Sequence, residues 1–101
     1  MITLLNGVTA TGAGAGVAIN TPPEGSATFQ AVVAGTGVVQ ATVNVEVSNN
    51  NTDWEVAATI SLNGTTRAHD GFSMSAPWAY VRGNVTAISG TGAAVTLTKG
   101  L

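Results

Sequence analysis

Apolar and polar residues alternate strictly along residues 38–62, in two arms separated by a run of Asn, Thr and Asp. The apolar positions of the first arm are Ala41, Val43, Val45 and Val47. Those of the second arm are Trp54, Val56, Ala58, Ile60 and Leu62. A period of two residues is typical of strands with one buried face. The pattern therefore predicts a β-hairpin with a core-facing row on each arm.

Matching faces across this hairpin require an even number of loop residues, since directly opposed residues share a face. A four-residue loop over residues 50–53, the commoner choice, pairs Val47 with Val56 and Val45 with Ala58. A six-residue loop pairs Val47 with Trp54, and a bulge would change the count. The residues that we expect to be buried are Val43, Val45, Val47, Val56, Ala58 and Ile60.

Further strands are predicted on both sides of the hairpin, separated by Gly, Pro and polar clusters. The predicted strands cover residues 2–5, 17–19, 26–34, 72–75, 78–88 and 93–97. Residues 2–5 are predicted to lie at a sheet edge, and residues 26–34 are expected to turn Ala27, Phe29, Ala31 and Val33 inward. The predicted breaks are the double-proline segment 20–25, the turn 35–37, the loop 65–71, residues 76–77 and a hairpin turn at 89–92. That last turn would pair Val85 with Val95.

Seven or eight strands with turn signals about every ten residues are typical of a β-sandwich. We therefore predict an all-β fold: one antiparallel β-sandwich domain over residues 1–101, jelly-roll-like or immunoglobulin-like. Residues 1–16 are rich in Gly, Ala and Thr, and we expect them to be flexible or to become ordered against a partner.

Charged residues are scarce, at 8% of the chain with a net charge of −2, against about 25% in a typical soluble domain. Three cations do not form the basic patch that nucleic acids require. There is no cysteine, no signal-peptide pattern and no apolar run of transmembrane length. We expect folding in the cytosol, no membrane partner, and a surface largely covered in an assembly.

Catalytic and metal-binding patterns are weak. His69 and Asp70 adjoin in a predicted loop without an accompanying nucleophile, and the run Gly12 to Gly16 lacks the spacing and helix of a dinucleotide motif. The loop 49–53 offers oxygen atoms of the kind that calcium prefers, but turn capping by Asp53 explains it more simply. We expect no enzymatic activity, no cofactor and no metal.

Three large side chains, Trp78, Tyr80 and Arg82, share one face of a predicted strand. Aromatic residues and arginine are enriched in protein interfaces and also suit sugar binding. The alternative is that this face packs on a second sheet, with Arg82 reaching solvent at the rim. These residues are the candidate interface.

Several short segments of the second half carry a resemblance to a known group. They are residues 45–50 (VEVSNN), 54–55 (WE), 70–72 (DGF), 76–82 (APWAYVR) and 89–93 (SGTGA). In combination, over about residues 38–98, they resemble small virion structural proteins of tailed bacteriophages. Within that group the chain looks most like a head decoration, or cement, protein.

That resemblance implies a β-sandwich or jelly-roll protein, made in the cytoplasm of the host bacterium, that coats the capsid surface of the virion. It implies the major capsid protein as partner and a homo-oligomer, which we expect to be a dimer or trimer. Two alternatives stay open: a tail or fibre component, and a carbohydrate-binding module with Trp54, Trp78 and Tyr80 as sugar platforms.

Overall fold

A computed structural model of the chain describes residues 2–19, 26–75 and 78–100. The strands are β1 (Ile2–Val8), β2 (Gly12–Ala13), β3 (Val17–Ala18), β4 (Ser26–Ser48), β5 (Glu55–Ser75) and β6 (Tyr80–Lys99). They form one antiparallel sheet in the order β1-β6-β4-β5, and β2 and β3 continue the β1 side by pairing with β6. The all-β, antiparallel single domain is thus confirmed, whereas the sandwich and its topology stay predictions. In the described part of the chain, no helix is long and apolar enough to cross a membrane.

Three strands are too long for the molecule unless they bend. At about 3.3 Å per residue, the 23 residues of β4 would extend to about 75 Å, yet the longest dimension of the fold is 42 Å. In β6, a Cβ atom on Gly83 would lie 2.7 Å from the Leu97 side chain, fourteen residues further along the same strand. The strand therefore folds back on itself, and the two halves of the sheet face each other.

The bend runs across neighbouring strands at glycines that were predicted to lie in turns. Where β4 pairs with β5, the register shifts between Ala34 and Val38. Where β4 pairs with β6, the register shifts on both sides of Thr36, which pairs with Thr91. Gly37, Gly90 and Gly92 all have positive φ there. The predicted turns at 35–37 and 89–92 and the loop at 65–71 are therefore wrong. Each is a bend inside a continuous strand, because glycine permits a sharp bend without breaking the ladder.

Fewer and longer strands follow from this correction. The predicted strands 26–34 and 38–48 are two halves of β4, and the strand predicted at 72–75 is the end of β5. Val85 does not pair with Val95; it pairs with Val43, while Val95 pairs with Val33 and Val8. The predicted breaks at residues 20–25 and 76–77 lie outside the described residues.

The central hairpin of β4 and β5 is confirmed, with one correction of register. Val45 pairs with Ala58 as predicted, but Val47 pairs with Glu55 instead of Val56. Ala57 is the extra residue of a β-bulge, which turns Val56 to the face of Glu46. Val56 is accordingly 57% exposed, so its predicted burial is wrong.

The inner faces of the bent sheet form one core. Its buried members are Leu4, Leu5, Ala27, Phe29, Ala31, Val33, Val39, Ala41, Val43, Val45, Val47, Ile60, Leu62, Val81, Val85, Ala93, Val95 and Leu97. The inward rows predicted for residues 27–33 and 43–47 and the burial of Ile60 are confirmed, while Ala58 is half-buried. Phe29 and its cross-strand partner Phe72 stack with ring centroids 5.3 Å apart.

The N-terminal segment lies along the free side of β6. β1 forms the predicted edge strand, with Leu4 and Leu5 buried in the core. The Gly14 backbone N–H donates to the Gly83 carbonyl oxygen at 2.8 Å. Residues 2–16, expected to be flexible or ordered by a partner, thus contact β6 of the same chain.

Candidate functional site: an outer-face cluster and an open strand edge

A polar cluster, which we call the Glu46 cluster, is centred on a buried carboxylate on the outer face of the sheet. Glu46 of β4 lies opposite Arg82 of β6, and both belong to the rows that alternate away from the core. The Arg82 Nε donates to Glu46 Oε1 at 2.7 Å, and the Asn84 side-chain amide donates to Glu46 Oε2 at 3.0 Å. Both carboxylate oxygens therefore have a partner, which offsets the cost of burying the charge.

Trp54 completes the Glu46 cluster from the hairpin loop. The Arg82 guanidinium carbon lies 4.3 Å from the centroid of the Trp54 ring, a cation–π contact of the kind worth about 0.5–1 kcal/mol at accessible sites. On its edge, the ring approaches Gly16, where an added Cβ would lie 2.9 Å from it. One face of Trp54 is therefore occupied by Arg82, which leaves it a poor sugar platform.

The loop that carries Trp54 is held by its own side chains. Ser48, fully buried, accepts bonds from the backbone N–H groups of Asn50 and Asn51 through its hydroxyl. Asn50 Oδ1 accepts from the backbone N–H groups of Thr52 and Asp53, and its Nδ2 donates to Asp53 Oδ2 at 2.9 Å. The loop is therefore capped by Ser48 and Asn50. The predicted capping by Asp53 is wrong, because its carboxylate accepts from the Asn50 side chain and not from a backbone N–H.

The three residues of the predicted interface separate in the structure. Tyr80 and Arg82 lie on the outer face of β6, opposite Ser48 and Glu46. Trp78 precedes the strand, is half-buried, and packs against the core. It also lines a shallow depression with Asn49, Asn50, Asp53 and Glu55.

Trp54 and Glu46 were not predicted to lie with this group. Trp54 was assigned to the core row of the hairpin, and the bulge at Ala57 moves it to the outer face instead. The alternating pattern carries no signal for a one-residue bulge in a run of alanines.

His69 and Asp70 lie within β5, not in a loop. They pair with Val32 and Ala31 of β4, so their side chains point to opposite faces of the sheet. Asp70 Oδ1 accepts from the backbone N–H of Gly71. Over residues 2–19, 26–75 and 78–100, no group of three or more His, Cys, Asp or Glu side chains is placed to hold a metal ion.

The outer edge of β5 is the longest open feature of the fold. Its 21 residues pair with β4 on one side, and no other strand of the described residues pairs with it. Edge strands are normally guarded by charged residues, above all Lys, by Pro, by β-bulges or by short length. β5 contains neither Lys nor Pro. Its charged residues Glu55, Arg67 and Asp70 and the bulge at Ala57 lie outside residues 58–65, so that stretch of the edge is unguarded.

Comparison with known proteins gives no relationship: neither protein-family models, nor curated protein sequences, nor solved structures match this chain.

Proposed function

We propose that this protein is a structural component of a bacteriophage virion, which binds the outside of the capsid as a homo-oligomer and stabilises the shell. The observation that carries the proposal is the open edge of β5. Residues 58–65 of that edge carry no charge and no bulge, and such an unguarded stretch is a template for pairing with another chain. In a protein that works as an assembly part, that edge is covered.

The sparse charge of the surface supports the same proposal. Interfaces are depleted of charged residues at their centres, and five carboxylates and three cations are the whole charged complement of this chain besides its one histidine. Of these, Glu46 and Arg82 neutralise each other in the Glu46 cluster. The sequence resemblance to decoration proteins then favours the capsid over other assemblies.

The contact with the major capsid protein is proposed to include Tyr80 and Trp78. Both side chains are half-buried, so each keeps part of an aromatic surface for a partner, and aromatic residues dominate interface energies. The Glu46 cluster lies beside Tyr80 and holds this region rigid through the Arg82–Glu46 ion pair.

Binding to isolated capsids tests the proposal. Heads lacking the protein would be prepared by deleting its coding sequence from the phage that carries it, and purified protein would then be added. We expect saturable binding at a lattice-defined ratio, weakened at least tenfold by Tyr80→Ala. Thr91→Ala, an exposed change at the bend, is the matched control and should bind as wild type. Binding to tails instead of heads would support a tail component, and no binding to either would refute the proposal.

A carbohydrate-binding module is the second candidate, favoured by one observation. The depression at Trp78 combines an aromatic ring with the amides of Asn49 and Asn50 and the carboxylates of Asp53 and Glu55. Such pockets can stack and hydrogen-bond a sugar. A glycan array would decide: binding that Trp78→Ala abolishes, with no binding to heads, would replace the capsid proposal.

A further inference from the structure

The two edges of the sheet differ in how well they are protected. The edge opposite β5 is made of three short strands, β1, β2 and β3, with register shifts along β1. Short, irregular edge strands are poor templates for another strand. The β5 edge belongs to one long strand with regular stretches of eight and nine residues between its irregularities, so it is the better site for strand addition.

Two stretches of β5 pair with β4 in unbroken register, residues 58–65 and residues 67–75. They are separated by Thr66, with φ of 63°, and the bulge at Ala57 ends the first stretch on its other side. The second stretch carries Arg67 and Asp70, whereas residues 58–65 carry no charge. Since charged side chains on an edge strand disfavour strand addition, a strand added to this edge would find its better template in residues 58–65.

A second copy of the chain fits this template symmetrically. In an antiparallel pair, directly opposed residues share a face, whereas successive residues of one strand point to opposite faces. A two-fold axis must therefore pair one residue with its own copy, and not with the copy of the next residue. Axes at Ser61 and at Leu62 each keep seven opposed positions inside the regular stretch. The Ser61 axis also opposes Ile60 to Leu62, which joins the two buried rows.

Apolar pairing selects the Ser61 axis. It opposes Ile60 of each copy to Leu62 of the other, which gives two pairs of large apolar side chains. The Leu62 axis opposes Leu62 to itself and Ile60 to Gly64 instead. Because cross-strand pairs of large apolar side chains stabilise a sheet and glycine has no side chain to pack, the Ser61 axis is favoured.

We propose that two copies of this chain pair β5 to β5, antiparallel, around a two-fold axis at Ser61. Seven opposed positions form about six to eight backbone hydrogen bonds. The two bent sheets then become one continuous sheet, and the unguarded edge is removed. This inference rests on the homo-oligomer of the proposed function, which it makes specific.

Cysteine cross-linking tests the register directly, because the chain has no cysteine of its own. On the axis, two Ser61→Cys residues face each other. Their Cα separation falls within about 4.4–6.8 Å, which is the range of a normal disulfide. Under mild oxidation we expect a covalent dimer. Thr59→Cys is the matched control: its copies lie about 13 Å apart along the strands, so it should not cross-link. The double variant Thr59→Cys/Asn63→Cys should cross-link, because these positions oppose each other.

Sedimentation equilibrium with charge variants completes the test. Ser61→Lys places two cations face to face on the axis and should raise the dimer dissociation constant severalfold. Ser73→Lys, exposed on β5 beyond the bend, should leave it unchanged. If the wild-type protein is an oligomer but the Ser61→Cys variant does not cross-link, the β5 pairing is overturned and the proposed homo-oligomer is not. A monomer at all concentrations would overturn both.

Discussion

At the residue scale, successive residues of one strand alternate between the core and the outer face of the sheet. Glu46 lies between Val45 and Val47, both buried in the core, yet its own carboxylate is buried on the outer face. Its burial is compatible with folding because Arg82 and Asn84 each hold one oxygen. The polar side chain is therefore part of the packing of the sheet and not a surface charge.

Replacing Glu46 by Ala should therefore destabilise the fold. The change removes two side-chain hydrogen bonds and leaves a half-buried guanidinium without its carboxylate, for a loss of about 1–3 kcal/mol in the free energy of unfolding. Urea denaturation would measure it. Asp70→Ala, at an exposed carboxylate, is the control and should change stability by about 0.5 kcal/mol or less. Equal stability of the two variants would contradict the role given to Glu46.

Two valines of the same hairpin should respond oppositely to a charge. Val45 is fully buried, so Val45→Asp buries an unpaired carboxylate and should abolish folding at ordinary temperature. Val56 is 57% exposed, so Val56→Asp should fold and melt cooperatively. Circular dichroism melting curves would compare them. A folded Val45→Asp protein would show that the faces are inverted, and an unfolded Val56→Asp protein would show that the bulge at Ala57 is absent.

At the element scale, the sequence predicts faces better than it predicts chain reversals. The alternation of residues 27–33 and 43–47 assigns their inward faces correctly, because a two-residue period follows from the pleat itself. Glycine pairs such as Gly35 and Gly37 are equally compatible with a hairpin turn and a bend. Whether the chain reverses there depends on long-range pairing, such as that of Thr36 with Thr91, which no local pattern encodes.

In the candidate site, too, strand faces could be predicted from the sequence, whereas the effects of a bulge or a strand end could not. Tyr80 and Arg82 share one face of β6, as alternation predicts, whereas Trp54 joins them through the bulge and Trp78 leaves them because it precedes β6. The open edge of β5 could not be predicted either, since strand order decides which strand is last in the sheet.

Two glycines at the bend should differ in their tolerance of alanine. Gly90 has φ of 119°, and an added Cβ would lie 2.7 Å from the Val38 carbonyl oxygen, so Gly90→Ala should cost about 2–3 kcal/mol. Gly92 has φ of 66° with open space around it, so Gly92→Ala should cost about 1 kcal/mol. Urea denaturation would rank them. If Gly92→Ala were the more damaging change, the bend would have a different geometry.

At the scale of the whole molecule, one edge of the bent sheet is formed by short N-terminal strands, and the other edge is the long open strand β5. The N-terminal strands cover one edge of β6 and bury Leu4 and Leu5, while β5 presents a long backbone edge whose residues 58–65 carry no charge. Both features are expected of a part that is completed by assembly. Function, on this account, lies in surfaces and edges and not in a pocket.

A cryo-electron map of phage heads, with and without the protein, tests this account most directly. The deletion particles described above would be imaged before and after purified protein is added. We expect new density on the outer capsid surface at regular lattice positions, with bent sheets joined in pairs through β5. Heads whose surface density is unchanged by the added protein, or density confined to the tail, would contradict it.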